Sequence, residues 1–263
     1  MLKKRLHQVL SEKIIYLSLL ILWTISISQV VYNLMNEKLA NPEEVPRSLS
    51  YAWILSGDSS GSFLFIMLVL LFPLSSLPFS LHLLKEKNNF FSYFYLIRSS
   101  KKTYLNSMLL TNSIISIFVT LSTLFLNIYL NSLFFPLIKP NEFTDYMRAY
   151  PLIPGQTFSQ ELFKNHPLIN MLMYIGIALI YVLLINNLIL LLGYFVNKQM
   201  YLFSLAVIFP FILLVIPIKH KLSPLVTLSV HAYNVSLIST SILFLCLFGI
   251  ILSLYYYILR HTE

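Results

Sequence analysis

Few residues of this chain have the types and spacing that enzymatic chemistry requires. Gly57, Ser59 and Gly61 match the G-x-S-x-G pattern of a nucleophilic serine. That chemistry needs a strand before the serine, a helix after it, and histidine and acidic partners. The surrounding residues indicate instead a polar turn that opens a helix, with Ser59 or Ser60 as its natural N-cap. We therefore expect no catalytic serine in this segment.

The glutamate pair Glu43 and Glu44 is a second pattern that could carry out catalysis. Together with Arg47 it is similar to the paired glutamates of intramembrane prenyl-protein proteases, which act from inside a helix beside histidine ligands. Here the pair lies between Pro42 and Pro46, and no H-x-x-x-N helix is present to complete such a site. The favoured interpretation is a solvated cluster of loop charges.

Metal and phosphate chemistry also lack their usual residue patterns. The six histidines are scattered, without an H-E-x-x-H motif or a close pair. The six glycines include no G-x-x-x-x-G-K-[ST] loop. The single cysteine, Cys246, allows neither a disulfide framework nor a cysteine-based metal site. We predict that the chain is not an enzyme and holds no metal or cofactor, so any ATP it uses is hydrolysed on a separate chain.

The elements that must position any functional group are six uninterrupted apolar stretches. They cover residues 14–35, 62–84, 104–135, 167–196, 200–218 and 234–259. None of the 18 basic and 10 acidic residues lies inside them. An ionised side chain at mid-bilayer costs about 2.5–3.5 kcal/mol, and about 20 helical residues cross the hydrocarbon core. The sequence therefore predicts an all-α, polytopic membrane protein with six transmembrane helices, which form a single domain over residues 1–263.

The basic residues predict the orientation of this domain. Eleven of the 18 Lys and Arg residues lie on the side that holds both termini. The positive-inside rule therefore predicts that both termini lie in the cytoplasm, and we expect the chain in the plasma membrane. The net charge of +8 then faces anionic membrane lipids, and we expect no nucleic-acid partner. Of the external segments, residues 219–233 predict either a helical cap that dips into the membrane or a plain loop.

The segment of residues 86–100, between the second and third spans, predicts a short amphipathic cytoplasmic helix. Phe90, Phe91, Phe94 and Ile97 recur at the spacing of one helical face, and cations flank them. Such a helix either rests on lipid or inserts its aromatic face into a groove of a partner protein. The pattern alone leaves both alternatives open.

A family resemblance begins in this segment and extends along the chain. Two spans are followed by a basic run and a short aromatic helix that ends in the sequence I-R-S-S-K-K-T-Y-L, from Ile97 to Leu105. The run P-G-Q-T-F-S from Pro154, then N-H-P-L from Asn165, precedes a long fourth helix. This arrangement resembles the permease subunits of ABC-2 type transporters, and in particular uncharacterised members from Gram-positive bacteria.

The resemblance implies a half-transporter that exports a peptide, a lipid-linked molecule or another amphipathic substrate. Two six-helix permease subunits, identical or different, would pair, and each would dock an ATPase subunit that binds ATP and magnesium. The residues carried over as the docking element are Phe90, Phe91, Phe94 and Arg98. Lys101 and Lys102 would lie at the lipid headgroups. Where family members often have an acidic residue and a glycine before this helix, this chain has Glu86 and the pair Asn88-Asn89.

The third span has a polar stripe. Its members are spaced three or four residues apart, so they share an arc of about 100° on the helix. They are Asn112, Ser116, Thr120, Thr123, Asn127 and Asn131. Because lipid offers such groups no partner, the stripe must face protein or a wet cavity. It predicts either interhelical hydrogen bonds, worth about 0.6 kcal/mol each, or the lining of a transport pathway.

The second span contains Pro73 and Pro78, with serines around them. Each proline removes a helical hydrogen bond and bends the helix, and nearby hydroxyl groups can bond the freed carbonyls. Such a bend is either a hinge that transmits motion from the docking helix or a static kink that serves packing. Asn186 and Asn187 in the fourth span predict a buried helix contact.

A second functional class remains open on these observations. A non-transporting membrane protein, such as an immunity or sensor-accessory component, would bind a peptide outside or a partner within the bilayer. The uncharged spans and balanced external charges are equally compatible with that class. Association with an ATPase subunit distinguishes it from a permease.

Overall fold

The computed structural model describes residues 2–39, 47–56, 61–88, 100–138, 157–196, 198–215, 223–230 and 236–261. Within these ranges the chain is helical and has no strand, so the all-α prediction is confirmed. The elements are α1 (Leu2–Leu10), α2 (Lys13–Leu39), α3 (Leu49–Ala52), a 3-10 turn η1 (Ile54–Ser56), α4 (Gly61–Asn88), α5 (Lys101–Ser132), α6 (Gln160–Asn165), α7 (Pro167–Gly193), α8 (Gln199–Val215), α9 (Pro224–Thr227) and α10 (Leu237–His261).

A helix lies within each of the six predicted apolar stretches, and five of these helices are long and apolar enough to cross a membrane. The five candidate spans are Lys13–Glu37, Ser62–Glu86, Lys101–Ser132, Pro167–Gly193 and Thr240–Arg260. The sixth helix, α8, is apolar but only 17 residues long. At 1.5 Å per residue it is about 26 Å long, slightly less than the hydrocarbon core. The described chain is thus built as a membrane-spanning protein.

The helix α4 occupies the centre of the bundle. It contacts α2, α5, α7 and α8, and about two thirds of its most apolar window is buried. Helix α10 is peripheral, because its main contact is with α7 and only 17% of its window is buried. An apolar helix that packs mainly against one neighbour presents much of its remaining surface to lipid.

Local sequence signals set the beginnings of two helices. Ser100 is the N-cap of α5, where its hydroxyl accepts a hydrogen bond from the N–H of Thr103 at 3.3 Å. Pro167 is the first residue of α7, a position at which its missing N–H costs nothing. At the other end of α7, a Cβ on Gly193 would lie 2.5 Å from Leu202 Cδ1. Glycine therefore permits the close approach of α7 and α8.

Two segments from between the apolar stretches fold back into the bundle. Every residue of segment 47–56 is buried, including Trp53 at 0% exposure. Within 223–230 one helical turn, α9, begins at Pro224, with Thr227 buried. The remainder of the segment 219–233 lies outside the described residues. The two segments meet where the N–H of Val230 donates to the carbonyl of Leu55 at 3.1 Å. Together they close one end of the helix bundle.

Candidate functional site

The polar stripe of α5 lies in the interior of the bundle. All six of its side chains have 0% exposure; they are Asn112, Ser116, Thr120, Thr123, Asn127 and Asn131. From Asn112 to Asn131 they span 20 residues, or about 29 Å of helix. The stripe therefore runs through nearly the whole depth of the bundle. It divides into two hydrogen-bonded networks, which we call the outer network, around Asn127 and Asn131, and the inner network, around Asn112 and Ser116.

The outer network joins α5 to α2 through side-chain amides. Asn127 Nδ2 donates to Gln29 Oε1 at 2.9 Å, and Asn131 Nδ2 donates to the same oxygen at 3.2 Å. Asn33 Nδ2 lies 3.4 Å from Asn131 Oδ1. Lipid offers an amide side chain no hydrogen-bond partner. These mutual contacts explain why all four amide side chains can lie within apolar stretches.

The same amides hold the inward-folded segment 47–56 in place. The carbonyl of Ala52 accepts from Gln29 Nε2 at 2.7 Å and from Asn33 Nδ2 at 2.6 Å. The N–H of Ile54 donates to Asn127 Oδ1 at 2.9 Å. The Ala52 carbonyl and the Ile54 N–H lie between two short helices and have no partner within a helix. The amide side chains of α2 and α5 supply their hydrogen bonds instead.

Arg47 anchors the beginning of this segment, and its burial corrects the expectation that Arg47 belongs to a solvated cluster. Arg47 is only 6% exposed, and its guanidinium donates to the carbonyl of Tyr51 at 2.8 Å. Its N–H donates to Glu37 Oε1 at 2.9 Å. The sequence did not predict this burial because Arg47 is set among prolines and glutamates. Residues 40–46, which include the glutamate pair, lie outside the described residues.

The inner network joins α5 to α4 and α7. Asn186 Nδ2 donates to Ser75 Oγ at 2.7 Å and to Ser116 Oγ at 2.9 Å. Asn112 Nδ2 donates to Asn187 Oδ1 at 3.0 Å. The prediction of a buried helix contact at the Asn186-Asn187 pair is therefore confirmed by three interhelical bonds.

The two threonines between these networks bond differently. Thr123 donates to the carbonyl of Val119 on its own helix at 2.8 Å. Thr120 Oγ1 has no hydrogen-bond partner among the described residues. Apart from these two, every stripe side chain is bonded to another helix or segment of the same chain. This geometry is that of an interface within one subunit, which is one of the two alternatives for the stripe.

The prolines of α4 lie buried in the middle of the bundle. The helix continues from Gly61 to Asn88 through both Pro73 and Pro78. Ser75 Oγ donates to the carbonyl of Phe72 and Ser76 Oγ to that of Pro73, each at 3.1 Å. The carbonyls that the prolines free are those of Val69 and Leu74, four residues before each proline. The two hydroxyl groups therefore bond other carbonyls of the same helix than the sequence predicted. Both the hinge and the static kink are compatible with this arrangement.

Sequence reasoning missed a buried ionic cluster that joins α1, α4 and α5. Arg5 is fully buried, and Glu86 is 5% exposed. The guanidinium donates twice to this carboxylate, from Nη2 to Oε2 at 2.9 Å and from Nε to Oε1 at 3.2 Å. Its Nη1 also donates to Ser107 Oγ, and its Cζ lies 4.5 Å from the ring centroid of Tyr104. We call these four residues the clasp.

A second set of charges surrounds the clasp. His82 Nε2 lies 3.4 Å from Glu86 Oε1, and His82 Nδ1 lies 3.5 Å from Glu12 Oε1. Lys85 Nζ lies 2.6 Å from Glu12 Oε2. The hydrogen bond from Lys85 holds the pKa of the Glu12 carboxyl below its usual range, against the opposing effect of partial burial. This set ties the beginning of α2 to the end of α4.

The segment predicted to dock a partner lies mostly outside the described residues. Residues 89–99, which include Phe90, Phe91, Phe94 and Arg98, are not described. Residues 86–88 belong to the end of α4, and α5 begins at Lys101. The clasp lies directly at these two helix ends. The signals that could have revealed it are an arginine on the N-terminal helix and a lone glutamate just after an apolar stretch.

The arrangement joins the helices through buried hydrogen bonds and an ion pair. Among the described residues, no three His, Cys, Asp or Glu side chains are grouped so that they could hold a metal ion. The side chain of Cys246, on the peripheral helix α10, is exposed. A comparison with protein-family models, curated proteins and solved structures finds no match for the chain.

Proposed function

We propose that the chain is the membrane-spanning permease subunit of an ABC-2 type transporter. It exports a peptide, a lipid-linked molecule or another amphipathic substrate across the plasma membrane of a bacterium. It has six spans, the five long apolar helices and α8, and both termini lie in the cytoplasm. ATP and magnesium are bound by a separate ATPase subunit, and a second permease subunit completes the pathway.

The observation that carries this proposal is the clasp at the base of segment 89–99. Arg5 bonds Glu86 near the last turn of α4 and Ser107 near the first turns of α5. The two helices that flank the segment are therefore both bonded to Arg5, α4 through a buried, bidentate ion pair and α5 through hydrogen bonds. A displacement of the segment by a docked ATPase would move both helix ends as one unit.

The central helix α4 connects this base to the rest of the bundle. From the clasp it runs through Pro78 and Pro73 to the middle of the protein, where Ser75 meets Asn186 and Ser116. A proline-bent helix that contacts four neighbours can pass a displacement at one end to all of them. This connection supports the hinge interpretation of the two prolines.

The position of the basic residues supports the proposed orientation. The clasp places Arg5, Glu86 and the start of α5 at one end of the bundle. Lys101 Nζ donates to the carbonyl of Leu259 at 3.3 Å, which brings the end of α10 and Arg260 to the same end. An accumulation of cations at one end is what the positive-inside rule expects of the cytoplasmic face.

Purification of the tagged protein from its native membrane in mild detergent tests the proposal. We expect an ATP-binding-cassette subunit to co-purify in near-equal amount, as identified by mass spectrometry. The double variant F91A/F94A should insert normally but lose the ATPase subunit. The control F118A/F125A removes two exposed rings elsewhere and should retain it. Wild-type protein without an ATPase subunit, or equal retention by both variants, contradicts the proposal.

A non-transporting immunity or sensor-accessory protein is the second candidate. One observation favours it. Nearly all polar side chains of the α5 stripe are hydrogen-bonded within the chain, so they do not form a polar surface along which a substrate could pass. A preparation in which a peptide or another membrane protein replaces the ATPase subunit would support this candidate.

A further inference from the structure

The outer surface of the bundle has a polar pair at a depth where the membrane is apolar. Asn187 of α7 and Ser113 of α5 are both half-buried. Asn187 lies nine residues before the end of its apolar stretch, and Ser113 lies nine residues after the beginning of its own. Nine helical residues correspond to about 13.5 Å, close to the middle of a hydrocarbon core about 30 Å thick. The pair is therefore partly exposed where neither water nor lipid headgroups can solvate it.

The hydrogen bonds within the chain leave part of this pair unsatisfied. Asn187 Nδ2 donates to Ser113 Oγ at 3.0 Å, and Asn187 Oδ1 accepts from Asn112 Nδ2 at 3.0 Å and from the Ser113 hydroxyl at 3.5 Å. An amide NH₂ group has two hydrogens, and a hydroxyl oxygen has two lone pairs. One hydrogen of Asn187 and one lone pair of Ser113 therefore have no partner among the described residues. Since lipid chains offer neither a donor nor an acceptor, another protein surface is the partner that can satisfy them.

An open face of α7 extends from this pair to Gly176. Gly176 is eleven residues before Asn187, so the two lie about 20° apart around the helix. Ile180 lies between them on the same face and is 42% exposed. A Cβ on Gly176 would have no neighbouring atom within 4 Å, so the surface is open at this point. Small residues at such positions let two membrane helices approach each other closely.

The neighbouring helices flank this open face without covering it. On one side, Asn186 lies about 80° around α7 from Gly176 and bonds Ser116 of α5. On the other side, Tyr181 lies about 140° from Gly176, and its ring packs against Phe244 of α10 with centroids 4.7 Å apart. The open face is therefore the part of α7 between α5 and α10 that the described helices leave accessible.

We propose that the open face of α7, together with Ser113, is the interface at which two copies of the chain associate about a two-fold axis. Each copy presents one free donor and one free acceptor side by side, so the surface is complementary to itself, as a two-fold interface requires. The donor and the acceptor belong to directly bonded residues and lie at the same depth. An axis along the membrane normal can therefore place the Asn187 hydrogen of each copy against the Ser113 oxygen of the other.

Gly176 allows the two α7 helices to approach closely enough for these bonds. A partner with a purely apolar helix would leave both polar groups unsatisfied, which favours a second copy as the occupant. The inference concerns association alone and is independent of the proposed transport function.

Energy transfer between donor-labelled and acceptor-labelled copies in phosphatidylcholine vesicles tests the interface. We expect transfer between wild-type copies to rise with the protein-to-lipid ratio and to saturate. The variant G176L adds a side chain where the chain itself has no neighbouring atom, so the subunit should fold normally. Because the added side chain separates the two α7 helices, the half-saturating ratio should rise at least about tenfold.

The matched control is G249L, the same change at a second glycine whose Cβ would have no neighbouring atom within 4 Å. Gly249 is exposed on α10, whereas Leu247 and Ile251 on either side of it are buried. Gly249 therefore points away from the bundle and from the open face of α7. The control should associate as the wild type does.

The serines of α5 provide a second comparison. Ser122 is nine residues from Ser113, about 180° around the helix, and its hydroxyl donates to the Val119 carbonyl. S113A should weaken association, and S122A should not. The proposal is overturned if wild-type copies show no transfer, or if G176L and G249L associate equally. If G176L does not fold, equal association of S113A and S122A overturns it instead.

These outcomes are separate from those that test the proposed function. A monomer that retains an ATPase subunit would overturn the two-fold interface and leave the permease proposal intact. A dimer that binds no ATPase subunit would have the opposite meaning.

Discussion

Replacement of Arg5 by leucine tests whether the clasp holds the ends of α4 and α5 together. The change keeps much of the side-chain volume but removes the guanidinium. Among the described residues, Glu86 then keeps His82 and a long contact with the Tyr104 hydroxyl, at 3.4 and 3.5 Å. Since the Glu86 side chain is about 6% exposed, water can replace little of the lost interaction.

The expected loss of stability is large for a single substitution. Removal of one partner of a buried ion pair costs about 3–5 kcal/mol, because a charge is left without compensation. For a protein of this size, the scaling of about 2–4 °C per kcal/mol gives a fall in Tm of roughly 6–20 °C. The double variant R5L/E86L leaves neither charge behind. It should therefore lose less than about 2 kcal/mol, well under the sum of the two single variants.

Thermal unfolding followed by size-exclusion chromatography of detergent-purified protein measures these differences. The control is K85Q, since the Lys85 and Glu12 side chains are 45% and 22% exposed. Such a pair contributes under about 1 kcal/mol. If R5L unfolds at the same temperature as wild type, the clasp does not stabilise the fold. If the double variant is as unstable as the sum of the single variants, the ion pair is not the source of the effect.

Three further changes test other parts of the fold. N127L should lower the free energy of unfolding by about 1–3 kcal/mol in the same thermal assay, because it leaves buried polar partners of Asn127 unsatisfied. G193I should destabilise by about 1–3 kcal/mol through overpacking against Leu202, whereas G193A should cost less because the Leu202 side chain can rotate. In vesicles with brominated lipid acyl chains, Trp23 (40% exposed, observed in W53F) should be quenched strongly and Trp53 (0% exposed, observed in W23F) weakly. Equal quenching of the two tryptophans would contradict the inward fold of segment 47–56.

The sequence predicts those features of this fold that depend on local patterns. Exclusion of charge from long apolar stretches predicts the helices, because each stretch must be compatible with lipid by itself. The three- and four-residue spacing from Asn112 to Asn131 predicts a shared face, because helix geometry fixes it. The burial of that face follows from the cost of amides in lipid. These inferences need no knowledge of which helices are neighbours.

The missed features depend on contacts between distant residues. Arg5 and Glu86 are 81 residues apart, and each is unremarkable in its own segment. The burial of segment 47–56 was missed because polar residues and prolines surround it. Gln29 and Asn33 carried the relevant signal, since two amides on one face of an apolar stretch need partners. Their partner is a backbone carbonyl, which side-chain composition cannot reveal.

The distribution of polar contacts constrains where a substrate could pass in the proposed transporter. The clasp closes one end of the bundle with charges, and the amide network closes the other with the inward-folded segment 47–56. Between them, Asn186 connects α4, α5 and α7. A pathway along α5 inside one subunit would have to break both networks and expose Trp53. A pathway between two subunits breaks neither, so the paired faces, rather than the stripe of α5, would line the route of export.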